Sequence, residues 1–267
     1  MTAKEAFEAG NLTGAIDACG QEVKANPTDS GKRAFLCELL AFAGNLERAD
    51  KNLEALANVD PETMVAVMLF RHLIRAAQSR EQFHTEGRLP EFLTEPGPLV
   101  QAYLRASILV REGEFTQAGE LLEEQSESFP VIRGTCDGEP FEGLRDLDDL
   151  CAPILEVLTS TGKYYWVPLE QIEELSFDPP ETLRDLLWRP ARLNVAHGPD
   201  GVVYIPAIYP GTRNNEDDRL KLGRATDWTN REGGLVQGVG QRSFLVGDKD
   251  VPILELKELT IGEPSSS

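Results

Sequence analysis

Histidine, cysteine and tryptophan are all scarce, with three, four and three copies in 267 residues, and aromatic residues make up only 7% of the chain. Cys19, Cys37, Cys136 and Cys151 are irregularly spaced, with no Cys-x-x-Cys pair to build a zinc knuckle or a dithiol redox motif. Thiols in that pattern suit burial and a reducing compartment, which predicts a cytoplasmic protein. Positive charge is short as well: 26 Lys and Arg stand against 45 Asp and Glu, a formal net charge of −19. A basic footprint for nucleic acid or for anionic lipid is therefore missing. The acid is spread evenly on both sides of residue 130, as expected of a solvated surface. The longest apolar run, around residues 65–70, is far too short to span a bilayer, and the first fifteen residues have no apolar centre of a secretion signal.

Signatures of catalysis are missing in the same way. There is no HExxH and no GxSxG, and Gly162-Lys163 lacks the upstream glycine of a P-loop. Gly238-x-Gly240 has no third glycine and leads into strand-like Ser243-Phe244-Leu245-Val246, so it reads as a hairpin or bulge. His72 and His84 fall in a helical half, and His197 abuts a turn. The acidic cluster Asp146-x-Asp148-Asp149 sits where a helix N-terminus favours negative charge, and Glu216-Asp217-Asp218 lies in a polar loop. No metal or cofactor is expected.

What is present, at 41% apolar residues, is material for one large domain or two smaller ones with a self-sufficient core. The first half repeats. Gly10-Asn11-Leu12, Gly44-Asn45-Leu46 and Gly113-Glu114-Phe115 are each followed by an alanine, Ala15, Ala49 and Ala118, and then by Pro27, Pro61 and Pro130. The first two copies are 34 residues apart and the third falls about two periods later, which predicts tetratricopeptide-like helical hairpins over residues 1–130. Glycine closes the first helix of each unit, alanine permits close helix packing, and proline stops the second helix. Residues 62–82 read as a long buried helix between units two and three, and 85–98 as a short helix or loop. In this register Phe7, Ala34, Glu38, Phe42, Tyr103, Ser107 and Arg111 face a concave groove suited to a partner helix. Phe42 and Tyr103 equally fit packing between repeats.

Residues 131–267 read as a mainly antiparallel α+β domain. A hairpin is expected over 131–141, and a helix capped by Asp146 or Asp148 over Leu150, Ile154, Leu155 and Leu158. Strands are expected at 164–167, 175–177, 192–195, 202–208, 235–239, 242–246 and 253–259, short helices at 170–174 and 182–187, and fraying from Glu263 on. Arginine and tryptophan are concentrated here, in Trp188-Arg189-Pro190, Arg224, Asp227-Trp228 and Gln241-Arg242. They suit either a structural lattice of Arg, Asp and Trp or contact with an anion or carboxylate. An enzyme or small-molecule sensor would use Arg189, Arg224, Asp227 and Arg242.

Four blocks resemble the ImpE family, also called TagJ or SciE: Tyr164-Tyr165-Trp166-Val167-Pro168, Leu183-Arg184-Asp185-Leu186-Leu187-Trp188-Arg189-Pro190-Ala191, Leu222-Gly223-Arg224-Ala225-Thr226-Asp227-Trp228, and Gly238-Val239-Gly240-Gln241-Arg242-Ser243-Phe244-Leu245-Val246-Gly247-Asp248. Leu169 departs from a Trp in the family pattern. The resemblance implies a non-catalytic accessory protein of a bacterial type VI secretion system. Its implied partner is an N-terminal helix of the small sheath subunit, TssB, with a role in sheath assembly or in disassembly by the ClpV ATPase. It brings no cofactor.

Overall fold

Turn chemistry sets the first half into helices. In the computed structural model, which describes residues 1–126 and 128–262, these are α1 (Ala3–Glu8), α2 (Leu12–Ala25), α3 (Ser30–Phe42), α4 (Leu46–Val59), α5 (Met64–Glu86), α6 (Pro98–Glu112) and α7 (Phe115–Ser126). Thr2 and Glu5 close a capping box on α1, Asn11 caps α2 through Gly14 N–H, and Asp29 caps α3 through Lys32 N–H. Gly10, Gly44 and Gly113 all adopt left-handed backbone, with φ of 78°, 70° and 83°, where each chain reversal needs it. Ala15, Ala49 and Ala118 are fully buried at the following helix contacts. The long helix expected over 62–82 is α5, but it is buried along one side only, since Met64, Val65 and Met68 are exposed; the segment after it is extended, with Glu91 bridging Tyr165.

The second half is antiparallel sheet: β1 (Arg133–Cys136), β2 (Glu139–Glu142), β3 (Leu144–Asp146), β4 (Ile154–Leu158), β5 (Tyr164–Pro168), β6 (Ile172–Phe177), β7 (Trp188–Val195), β8 (Asp200–Pro206), β9 (Thr226–Asn230), β10 (Val236–Gly240), β11 (Ser243–Val246), β12 (Lys249–Pro252) and β13 (Glu258–Ile261), with one short helix, α8 (Asp218–Lys221). Eight strands form one sheet in the order β2-β1-β13-β6-β7-β8-β4-β5, beside a three-stranded β12-β11-β3 sheet and the β9–β10 ribbon. The chain is thus α+β, helical first and antiparallel sheet after. Fraying expected from Glu263 lies outside the described residues.

Three sequence expectations change, the first being the short helix expected at 170–174, which is a single 3₁₀ turn, Leu169–Gln171, running straight into β6. The helix expected through Leu150, Ile154, Leu155 and Leu158 is instead a turn followed by β4. All five residues of β4 are buried, because both faces are covered: Ile154 and Leu158 pack with the helices, Leu155 and Val157 with the opposite core. A strand buried on both faces loses its polar alternation and takes on helical spacing by accident. The strand expected over 253–259 is shorter and later, β13, because Ile253 and Leu256 turn inward to accept a buried arginine.

The cores do not follow the boundary at residue 130. One cluster joins Leu36, Leu40, Phe70, Leu73 and Phe83 of the helices to Leu158, Tyr164, Trp166, Trp188 and Tyr204 of the sheet. The other lies on the far side of the sheet, around Leu155, Val167, Leu193, Ile205, Phe244 and Leu256. The eight-stranded sheet is therefore a middle layer.

Candidate functional site

Alternation along β4 places Glu156 on the helical face, between Ile154 and Leu158, where it is wholly buried. Helix α5 meets it with two residues one turn apart. Arg80 approaches bidentately, Nε 3.0 Å from Oε1 and Nη2 2.7 Å from Oε2, and also donates to the Ile208 carbonyl at 3.2 Å. His84 Nε2 lies 3.1 Å from Oε1. From β5, Tyr164 O–H donates to the same oxygen at 2.5 Å and receives Trp166 Nε1–H at 2.6 Å. Arg242, preceding β11, donates Nη2 to Glu156 and sets Nη1 3.3 Å from Asp146 Oδ2. The Tyr209 hydroxyl, 2.8 Å from Asp146 Oδ1, ends the chain of contacts.

Each group's protonation follows from this packing. Burial pushes the Glu156 carboxyl up, but Arg80, Arg242 and His84 overcome it and hold it well below the usual carboxylate range. Burial lowers His84 despite the pull of Glu156, so its ring is neutral. Burial raises Asp146 against the pull of Arg242. Asp148 is pushed up to about 7 by burial and by Asp146, although it accepts the Leu150 and Gly238 N–H groups. Glu156 has donors on both oxygens, so the network joins helices to sheet.

Beside it lies a cavity of about 130 Å³ between the layers, with Phe42, Ala77, Arg80 and His84 on the helical side and Trp188, Ile208 and Thr212 on the sheet side. Its charges are matched: Arg213 pairs with Glu81, and Lys221 with Asp218 at 3.0 Å. No group of three or more His, Cys, Asp and Glu residues is placed to hold a metal among the described residues.

The residues expected to line a groove have other neighbours. Phe42, Tyr103 and Ser107 are buried, Tyr103 edge-on to Phe129 at 6.1 Å with the Ser107 hydroxyl on its carbonyl. Phe42 lines the cavity beside the network, and Tyr103 and Ser107 pack within the helical core. Arg111 spans to the Phe83 carbonyl at 3.1 Å. Glu38 sits beside Arg184 and Asp185 and is raised to about 7 by burial. Phe7 lies under the Arg224 guanidinium, 4.8 Å from the ring centre, while Arg224 caps the end of α1 through the Phe7 and Glu8 carbonyls.

The arginine and tryptophan residues are likewise dispersed. Trp188 packs edge-on against Phe70 at 5.8 Å. Arg189 is buried over Phe177 and donates to the Ile253 and Leu256 carbonyls. Asp227 caps the Trp228 N–H, and Trp228 tilts against Tyr209. Arg189, Arg224, Asp227 and Arg242 therefore occupy four separate contacts and do not converge on a cleft. Glu156, Arg80 and Tyr209 were missed by sequence reasoning. The one available signal was Glu156 itself, an acid inside an otherwise apolar run.

Helical hairpins laid on one face of an antiparallel sheet and fastened to it by the buried Arg80–Glu156 pair, with a second core on the sheet's other face, define a layered α+β protein. The ImpE protein family model matches residues 138–260. Over its full length the chain is 32% identical to the type VI secretion system accessory component TagJ of Pseudomonas aeruginosa, covering 93% of that protein. It also resembles the crystal structure of protein VPA1032 from Vibrio parahaemolyticus, with TM-score 0.91 and 28% identity, over 99% of this chain and 98% of that one. The chain belongs to the ImpE family.

Proposed function

We propose that this protein is an accessory component of a type VI secretion system, acting without catalysis as an adaptor in the cytoplasm. In this reading its helical hairpins, a tetratricopeptide-type stack, hold an N-terminal helix of the small sheath subunit and so assist sheath assembly or ClpV-linked disassembly. The observation that carries the reading is the end-to-end similarity to TagJ, which includes the helical half as well as the ImpE blocks. Two features support it. No helix among the described residues is long and apolar enough to cross a membrane. The formal charge of −19 favours a partner helix edged with Lys or Arg, and speeds its encounter more than it deepens its affinity.

The test is calorimetric titration of the full-length protein with its cognate small sheath subunit and with a peptide of that subunit's N-terminal helix. Saturable one-to-one binding of both is expected. A folded protein that gives no heat with either, and does not co-sediment with the subunit, refutes the sheath-adaptor reading.

A further inference from the structure

Among the exposed large apolar side chains of the described residues, four fall within ten residues at the turn from α4 into α5. Val59 is 39% exposed, Met64 46%, Val65 81% and Met68 54%. At 100° per residue, Met64 and Met68 lie on one side of α5 with Val65 beside them, while Val67, Phe70, Leu73 and Ile74 point into the core. The exposed stripe thus makes no contribution to the fold that burial would explain. Clustered exposed apolar surface on one helix face marks an interaction site, and methionine adapts to a partner's shape.

The neighbouring helix supplies the other half of a recognition surface. Glu47, Asp50 and Glu54 recur along α4 at helical spacing, with Glu47 and Glu54 exposed and exposed Lys51 between them, and Glu62 follows in the turn. Arg71 of α5 reaches across to Asp50, at 2.7 and 2.9 Å, and feels Glu54 as well. That pair fixes the two helices side by side and neutralises Asp50, while Glu47 lies further along α5 beside Ile74, Arg75 and Gln78, so the acids left next to the apolar stripe are Glu54 and Glu62.

We propose that this outer α4–α5 seam, and not a groove at Phe42 and Tyr103, is where the partner helix docks. The proposal rests on the adaptor reading above. The occupant is an amphipathic helix with two or three apolar residues at i, i+3 or i+4 spacing and Lys or Arg along one edge, the apolar residues on Met64, Val65 and Met68 and the basic edge toward Glu54 and Glu62. A second copy of this chain is disfavoured, since it would bring another −19 charge and its own Glu54 and Glu62 to the contact.

The experiment measures binding of the cognate small sheath subunit to the full-length protein and to three variants. Val65→Ser combined with Met68→Ser is expected to weaken binding about tenfold or more. Glu54→Lys is expected to weaken it severalfold, with the difference shrinking as salt rises. Val202→Ser, at an exposed apolar position on the sheet, is the control and leaves binding unchanged. These side chains are exposed, so the variants should melt with the wild type. Wild-type binding that survives the double substitution within about twofold overturns the seam while leaving the adaptor reading intact. Failure of the folded wild type to bind the subunit overturns the adaptor reading, and the seam with it.

Discussion

Replacing Glu156 with glutamine removes one negative charge and almost no volume, so its effect isolates the electrostatics of the junction. In the wild type the carboxylate is fully buried and meets Arg80, Arg242, His84 and the Tyr164 hydroxyl. Glutamine accepts on one side only and turns an amide N–H₂ toward donors on the other. Arg242, itself fully buried, is left with Asp146 as its one carboxylate. Breaking a buried pair on one side costs about 3–5 kcal/mol, because the remaining charge stays desolvated. For a chain of this size each kcal/mol lowers the melting temperature by roughly 2–4 °C, so a drop of about 6–20 °C is expected. Thermal unfolding followed by circular dichroism at pH 7 measures it, with urea midpoints as a second reading. Arg242→Met should cost a similar amount, and the double variant much less than the sum of the two, since both remove the same pair. Glu156→Gln within about 1 kcal/mol of the wild type, or additive single effects, would refute the reasoning.

Three further outcomes follow from the same packing. A fragment ending at residue 130 should fail to fold by itself, shown by poor amide dispersion and no cooperative melt, because Phe70, Leu73 and Phe83 share their core with Trp166 and Trp188. Gly119→Ala should cost about 1–3 kcal/mol and speed hydrogen exchange in residues 232–234, because a Cβ there would drive into the Gly233 carbonyl. Glu38, raised to about 7 from an ordinary 4.5 by burial against the pull of Arg184, keeps a proton that the unfolded chain has released. Its contribution is therefore complete below about pH 4.5 and lost as pH rises through about 7, at most about 3 kcal/mol. Denaturation at pH 5 and pH 8 should show that decline in the wild type, and Glu38→Gln should lessen it.

The helical half was largely legible because its punctuation is local. A glycine with positive φ, an alanine at a helix contact and a capping Asn or Asp each act within a few residues, and the structure places them where the spacing required. The sheet was legible where alternation survived, as in the β7–β8 hairpin. It was misread at β4, where burial on both faces erased the period. Residue types at the junction were visible, but their company was not. Arg242 meets Glu156 across 86 residues and Arg80 meets it across 76, separations no local pattern reports. Arginines that stand close to tryptophans in sequence do not stand together in the fold, which sends Arg189 to one core and Arg224 to the end of α1.

Helix α5 connects these observations. It runs 23 residues, and Met64 and Arg80 are sixteen residues apart, about 24 Å along the axis. Its first two turns carry the exposed stripe, and its fifth and sixth turns carry Arg80 and His84, held by Glu156. A docking face on a free helix loses affinity to the entropy of ordering it, whereas a face on a helix already fixed at its far end does not. If the seam is the docking face, the sheet, which bears the family blocks, would support it without touching the partner, by immobilising α5. Glu156→Gln would then weaken sheath binding as well as stability, while leaving every residue of the seam in place. Equal affinity of Glu156→Gln and wild type, measured well below both melting temperatures, would show that the seam needs no such support.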